Sequence, residues 1–185
     1  MSKLILLCAP SGTGKTSIAR MLCATDSRFH HVQVLTTRPI RPNEEGRNEK
    51  IQVAHSTLLQ MKDADELVNY NEKDGVYYGI KHASIANPLS EGIFPVLEWD
   101  INNMEHFDGI FPVFKVVLKP ASNEHLNKSL KDGRDSNGIR REGVLRELEL
   151  IDSGLLNEDL LISNFDNALM DSSHLIRSSI FNIPF

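Results

Sequence analysis

Residues 4–22 read LILLCAPSGTGKTSIARML. A short, continuously apolar run gives way to serine, threonine, two glycines and one lysine, and then to apolar residues at helical spacing. The run Lys3–Cys8 has the pattern of a strand buried on both faces. Ser11–Gly14 is a loop, and Lys15–Ala24 a helix with Ile18, Met21 and Leu22 on one side. Within this stretch Ala9-Pro10-Ser11-Gly12-Thr13-Gly14-Lys15-Thr16 lies close to G-x-x-x-x-G-K-[ST], with Ala9 in place of the first glycine. Glycine has no Cβ, so backbone N–H groups can converge on an anion, and the following helix presents its positive end. Strand, loop and helix in that order are the context a phosphate-binding loop requires. Ser11, Gly12, Thr13 and Gly14 form the candidate ATP cradle, Lys15 reaches the β- and γ-phosphates, and the Thr16 hydroxyl is the candidate Mg²⁺ ligand.

The rest of the chain extends this into an α/β fold. Val32–Leu35 reads as a strand and TTRPIRPNEEGRNEK (36–50) as a loop, with Ser56 as a cap for a short helix through Met61. DGVYYGI (74–80), GIFPVLEWD (92–100), VFKVVLKP (113–120) and LLISN (160–164) read as strands, the third ended by Pro120. Val144–Leu150 and Asn167–Ser179 read as helices. Alternating strands and helices imply a parallel sheet wound on both faces. There is no internal repeat and no long linker.

Composition narrows the partners. The chain has 185 residues, 41% hydrophobic and 24% charged, which suits one globular domain. A net charge of −5 argues against nucleic acid and leaves room for a small anionic ligand held by local arginines and lysines. No apolar run has the length of a membrane span. MSKLILLCAP reads as a strand, not a signal peptide. Cys8 and Cys23 are two thiols without a disulfide or zinc pattern, best read as packing residues in a reducing cytoplasm. The seven histidines show no metal-ligand spacing.

Two further clusters carry chemistry. Arg38 and Arg41 stand three apart beside Thr36 and Thr37, and guanidinium forks bind a phosphate monoester bidentately. Taken alone, the same residues also read as a solvated basic loop answering Glu44 and Glu45. Glu98 and Asp100 end a strand at period two, where acids hold Mg²⁺ through water or accept from a base amino group, with Trp99 between them in packing.

The blocks APSGTGKT, TTRPIRP, GVYYGI, VLEWD and LLISN occur in the order and nearly the spacing of the guanylate kinases, and the chain resembles that family over nearly its whole length. The resemblance implies a P-loop-type parallel sheet with helices on both faces, a small acceptor-binding subdomain and a lid. It divides the single domain into a core (1–32, 92–125 and 150–185), an acceptor-binding region (33–91) and a lid at about 126–149. It implies transfer of the ATP γ-phosphate to a nucleoside monophosphate, with ATP and Mg²⁺ as cofactors. Arg38 and Arg41 would hold the acceptor phosphate, with Tyr78 donating its hydroxyl. Asp100 would serve the acceptor or Mg²⁺ through water. Lid arginines would close on the moving phosphoryl group, with Arg134 and Arg141 favoured over Arg140 and Arg146. Asn164 matches an asparagine near adenine, and equally reads as a turn cap.

Base recognition departs from the family. Val34 replaces a serine, Asn69 the glutamate that reads the guanine edge, and Ile80 a serine or threonine. A tyrosine expected after Gly46 is missing, with Glu49 nearest and the loop one residue short. Asn69 has one carbonyl acceptor and an NH₂ donor, so it cannot accept from two guanine N–H groups as a carboxylate does. Glu72 is the candidate replacement acid. The GRNEKI and YYGI segments also resemble ribose 1,5-bisphosphate phosphokinases, an alternative acceptor class. A non-catalytic guanylate kinase-like binding module is the alternative from another class.

Overall fold

The computed structural model describes residues 1–73, 75–120, 139–164 and 169–182. Five strands form a wholly parallel sheet: β1 (Leu4–Cys8), β2 (Phe29–His31), β7 (Phe94–Trp99), β8 (Val113–Pro120) and β9 (Leu160–Asn164). Their order is β2-β7-β1-β8-β9, with β1 at the centre. A central parallel strand meets packing on both faces, and all five β1 side chains are fully buried.

The two faces carry two cores. On one, Ile5 and Leu7 meet Ile18, Ala19 and Leu22 of α1 (Lys15–Thr25) and Ile176 of the C-terminal helix Leu169–Phe181. On the other, Leu4, Leu6 and Cys8 meet Ile85 of α3 (Ala83–Ser90), the segment carrying Ile101, Met104 and Phe107, and Ile151 of α4 (Ile139–Asp152). The C-terminal helix is α5. Burial pushes the thiols of Cys8 and Cys23 up to about 12, so both are packing groups and not nucleophiles at neutral pH.

A second, four-stranded sheet has the order β4-β3-β6-β5, built from β3 (Val34–Thr36), β4 (Lys50–Gln52), β5 (Leu67–Lys73) and β6 (Val76–Lys81). Only β3 and β4 run parallel in it. α2 (His55–Asp63) covers one face through Leu58. Gly79 makes that approach possible, because a Cβ there would lie 2.7 Å from Leu58 Cδ2 and 3.2 Å from Leu67 Cδ1. On the same side Tyr77 stacks on His55 at 3.8 Å between centroids.

Three local expectations change. The run 32–35 is not one strand: the chain leaves the large sheet after His31 and enters the small one at Val34. Ser56 does not cap α2; Ala54 occupies the cap, without a side-chain hydrogen bond. The helix read at 144–150 extends over Ile139–Asp152. β5 and α3 are additions, one a polar strand and the other a helix containing Pro88.

Candidate active site

The two sheets face each other across a cavity of about 610 Å³. One wall is the loop between β1 and α1. Gly12 and Gly14 have φ of 88° and 97°, left-handed values that glycine adopts without steric cost. Ser11, Gly12, Gly14, Lys15 and Thr16 line the cavity, while Thr13 is buried beneath. Lys15 Nζ donates to the carbonyl oxygens of Ala9 and Pro10. Burial lowers the pKa of Lys15, and Glu98 and Glu147 oppose that shift. Ala9, in the place of the missing first glycine, is packed in the core and also lines the cavity.

The acids at the end of β7 complete this wall. Thr16 Oγ1 donates to Glu98 Oε2 at 2.6 Å. The carboxylate that reaches Thr16 is therefore Glu98, and not Asp100. Burial alone would raise the Glu98 pKa; hydrogen bonds from His31 and Thr16 outweigh it and hold the group ionised. Asp100 also lines the cavity, its Oδ1 accepting from Asn102 N and Nδ2 at 2.9 Å each. Trp99 reaches the cavity too, packed edge-on to Phe107 with centroids 4.8 Å apart. The hydroxyl–carboxylate pair Thr16 and Glu98 supplies the hard oxygen donors that Mg²⁺ takes alongside phosphate oxygens.

The opposite wall is formed by the face of the small sheet turned away from α2 and by the loop after β3. Arg38, Arg41 and Tyr78 line it. Arg38 is locked by Glu44, its Nη1 and Nη2 donating to the two carboxylate oxygens at 2.8 and 2.6 Å. Glu44 also accepts from Arg41 N at 3.0 Å. The Arg38 hydrogen bond, partly opposed by burial, pulls the Glu44 pKa down to about 2. Arg38 Nε is buried without a hydrogen-bond partner. A buried guanidinium donor left over beside Tyr78 is what an incoming anion satisfies.

Strand periodicity decides which neighbours share this wall. Tyr78 is in register with Thr36 and Asn71, and Ile80 with Asn69, so these side chains take the cavity side of the sheet. Lys73 continues the same alternation and lines the cavity. Asn69 sits two register pairs beyond Tyr78, the next pair on the same face, and is not among the lining residues. Glu72 pairs with Tyr77 on the other face, and its Oε1 accepts from Gly75 N at the hairpin turn. The replacement acid proposed for the base is thus turned away by the two-residue period. Val34 and Ile80 are buried and apolar on the cavity side.

Several lining residues have no counterpart among the sequence-derived candidates. Arg20 of α1 grips Glu49 through Nε and Nη2 at 2.7 and 2.6 Å. His31 lies between Glu49 and Glu98, its ring nitrogens 3.5 and 3.4 Å from their oxygens. Lys50, Asn43 and Glu147 also line the cavity. Burial raises the Glu147 pKa, against the pull of Lys15. These pairs join residues tens of positions apart, so no local signal marks them; the one cue in the sequence is the missing tyrosine after Gly46, with Glu49 nearest to its place.

Arg141 is exposed at the start of α4 and is not among the lining residues. Arg146 forms an exposed pair with Glu142 at 3.4 Å, one helical turn away. Arg134, the side chains of Arg140 and Asn164, and most of the lid expected at about 126–149 lie outside the described residues. No described helix is long and apolar enough to cross a membrane.

A family model described as guanylate kinase matches residues 1–171. A guanylate kinase of Dechloromonas aromatica is 30% identical over 179 residues, covering 95% of this chain and 89% of the relative. One from Nitrosomonas europaea is 30% identical over 141 residues, covering 75% and 70%. The crystal structure of guanylate kinase from Anaplasma phagocytophilum superimposes with a TM-score of 0.73 at 17% identity, over 98% of this chain and 85% of that one.

Proposed function

The chain belongs to the guanylate kinase family and is an ATP-dependent nucleoside monophosphate kinase, and from that premise we propose a division of labour between the two cavity walls. Ser11 to Thr16 grip the ATP phosphates. Arg38, Arg41 and Tyr78 grip the acceptor's phosphate. The observation that carries this reading is the single cavity lined by both sets.

The acceptor is a nucleoside 5′-monophosphate of the guanylate class or a related base. Its phosphate is already ionised at neutral pH, so attack on the γ-phosphorus needs no general base. Catalysis is then placement plus charge neutralisation, with Lys15 on the donor side and Arg38 on the acceptor side. Glu44 positions Arg38 and does not touch substrate. Thr16 would hold Mg²⁺, with Glu98 and Asp100 through water; the ion neutralises phosphate charge when it is bound. Arg134 and Arg141 are the candidate lid arginines, and Asn164 the candidate adenine contact. With two unpaired cysteines among the described residues, a reducing cytoplasm is the compartment this reading favours.

On the base end, Asp100 is the acid left to accept from an amino group, since Asn69, Val34 and Ile80 offer an amide and two apolar groups. Neither a sugar bisphosphate acceptor nor a non-catalytic module is favoured, because the matched relatives are guanylate kinases. The test is ADP release from ATP and Mg²⁺ across all ribo- and deoxyribonucleoside monophosphates and ribose 1,5-bisphosphate. Release with at least one nucleotide, abolished by Lys15→Ala, supports the reading. Release with none, or with the sugar bisphosphate alone, contradicts it.

A further inference from the structure

We propose that Lys50 is a third phosphate-binding cation of the acceptor wall, contacting the acceptor's monoester through Nζ beside Arg38. This rests on the kinase reading above and adds a residue to it. Lys50 opens β4, in parallel register with Val34, so its side chain leaves the sheet on the side that carries Tyr78. It lines the same cavity as Arg38, Arg41 and Tyr78.

The surroundings of the ammonium group are unusual for a lysine. Three other cations that line the cavity are tied to protein oxygens: Arg38 to Glu44, Arg20 to Glu49, Lys15 to loop carbonyls. Lys50 Nζ forms no ion pair or hydrogen bond with the described residues. Burial lowers its pKa, and the carboxylates of Glu98, Glu44 and Glu49 act on it only at a distance, with Arg38 repelling it. Lys50 is half-buried at the cavity wall, and a partly desolvated cation without a partner costs the folded protein stability. Such a cost is retained where an anion arrives to offset it, and functional cations are a recurring place where stability is given up for activity.

The position also makes chemical sense. The influences on Lys50 come from both walls: Glu98 on the side of the phosphate loop, Glu44 and Arg38 on the acceptor side. A cation between them meets the acceptor's phosphate where it approaches the donor. The glutamates do not substitute for that anion, because each is already engaged: Glu44 by Arg38, Glu49 by Arg20, Glu98 by Thr16 and His31.

Lys50→Met keeps the stem and removes the charge; Lys50→Arg keeps the charge. With GMP and ATP as substrates, Lys50→Met is expected to lower kcat/KM for GMP by roughly 10- to 100-fold, the range of a lost hydrogen bond to a charged group, with KM for ATP unchanged and partial rescue by Lys50→Arg. The same Lys50→Met change is expected to raise the melting temperature of the ligand-free enzyme, and to reduce the further rise produced by inorganic phosphate. A merely structural lysine would give a lower melting temperature instead. Lys50→Met with wild-type kcat/KM for GMP, or with a lowered melting temperature and undiminished protection by phosphate, overturns the proposal. Should the wild type release no ADP with any nucleotide, the kinase reading fails, while the phosphate-protection arm still decides the assignment of Lys50.

Discussion

The phosphate wall and the base end of this one cavity were built under different constraints. Along the phosphate wall several side chains are held by an assigned partner: Arg38 in the fork of Glu44, Thr16 on Glu98, Arg20 on Glu49, with Lys50 the exception. At the expected base-reading positions Val34 and Ile80 are packed in the core and the amide Asn69 lies two register pairs beyond Tyr78, none of them among the residues that line the cavity. Phosphate is the same group on every acceptor, so its wall tolerates little change. A base is read by donors and acceptors that differ between nucleotides, so that end can be rewritten without loss of the transfer chemistry. On the proposed assignment, activity and selectivity are carried by separable residues.

The largest effect that bears on this contrast is expected on the donor side. Lys15→Ala removes the cation proposed to neutralise the moving phosphoryl group and should cut kcat by about 10²- to 10³-fold with every acceptor alike. An acceptor-dependent loss, read in the ADP-release assay, would blur the division between walls. Arg38→Ala should lower kcat/KM for the acceptor by about 10²-fold or more while ATP binding, measured by calorimetry, stays within twofold of wild type.

Glu44→Gln sharpens the comparison at intermediate size. Loss of the bidentate fork leaves Arg38 in place but poorly held, so KM for the acceptor should rise about tenfold with little change in kcat. The same variant tests linkage. The Glu44 pKa falls from an ordinary 4.5 to about 2 on folding, so its contribution is present above pH 4.5 and disappears as pH drops toward 2. That gap corresponds to at most roughly 3 kcal/mol. Denaturant titrations between pH 6 and 2.5 should show wild type losing stability over that interval, and Glu44→Gln losing less. The smallest effect is expected at the base end, where Asn69→Glu should raise kcat/KM for GMP several-fold by returning an acceptor pair to the sheet face, at about 1 kcal/mol. No gain would mean that Asn69 does not read the base.

How much of this was legible in the sequence follows the same contrast. The phosphate loop could be read because its signal is local: glycines at fixed offsets between an apolar run and a helix. Glu98 and Asp100 were legible from their place at a strand end. β5 was not, because its cavity face carries Asn69, Asn71 and Lys73, so LVNYNEK lacks an apolar alternation. The split of 29–36 between two sheets left no trace either, since both short strands contribute buried apolar residues. Glu72 went wrong on parity alone. The Arg20–Glu49–His31–Glu98 chain depends on tertiary contacts between residues as far apart as β2 and β7, which no pattern of spacing reports.

The most direct test of separable walls is the selectivity of the wild-type enzyme, taken as the ratio of kcat/KM for GMP to that for each other nucleoside monophosphate. Hydrogen-bonded reading of a cognate base reaches about 10⁴-fold or more. The account predicts turnover with a ratio below about 10²-fold for at least one other base. A preference for GMP above 10⁴-fold over every alternative would contradict it.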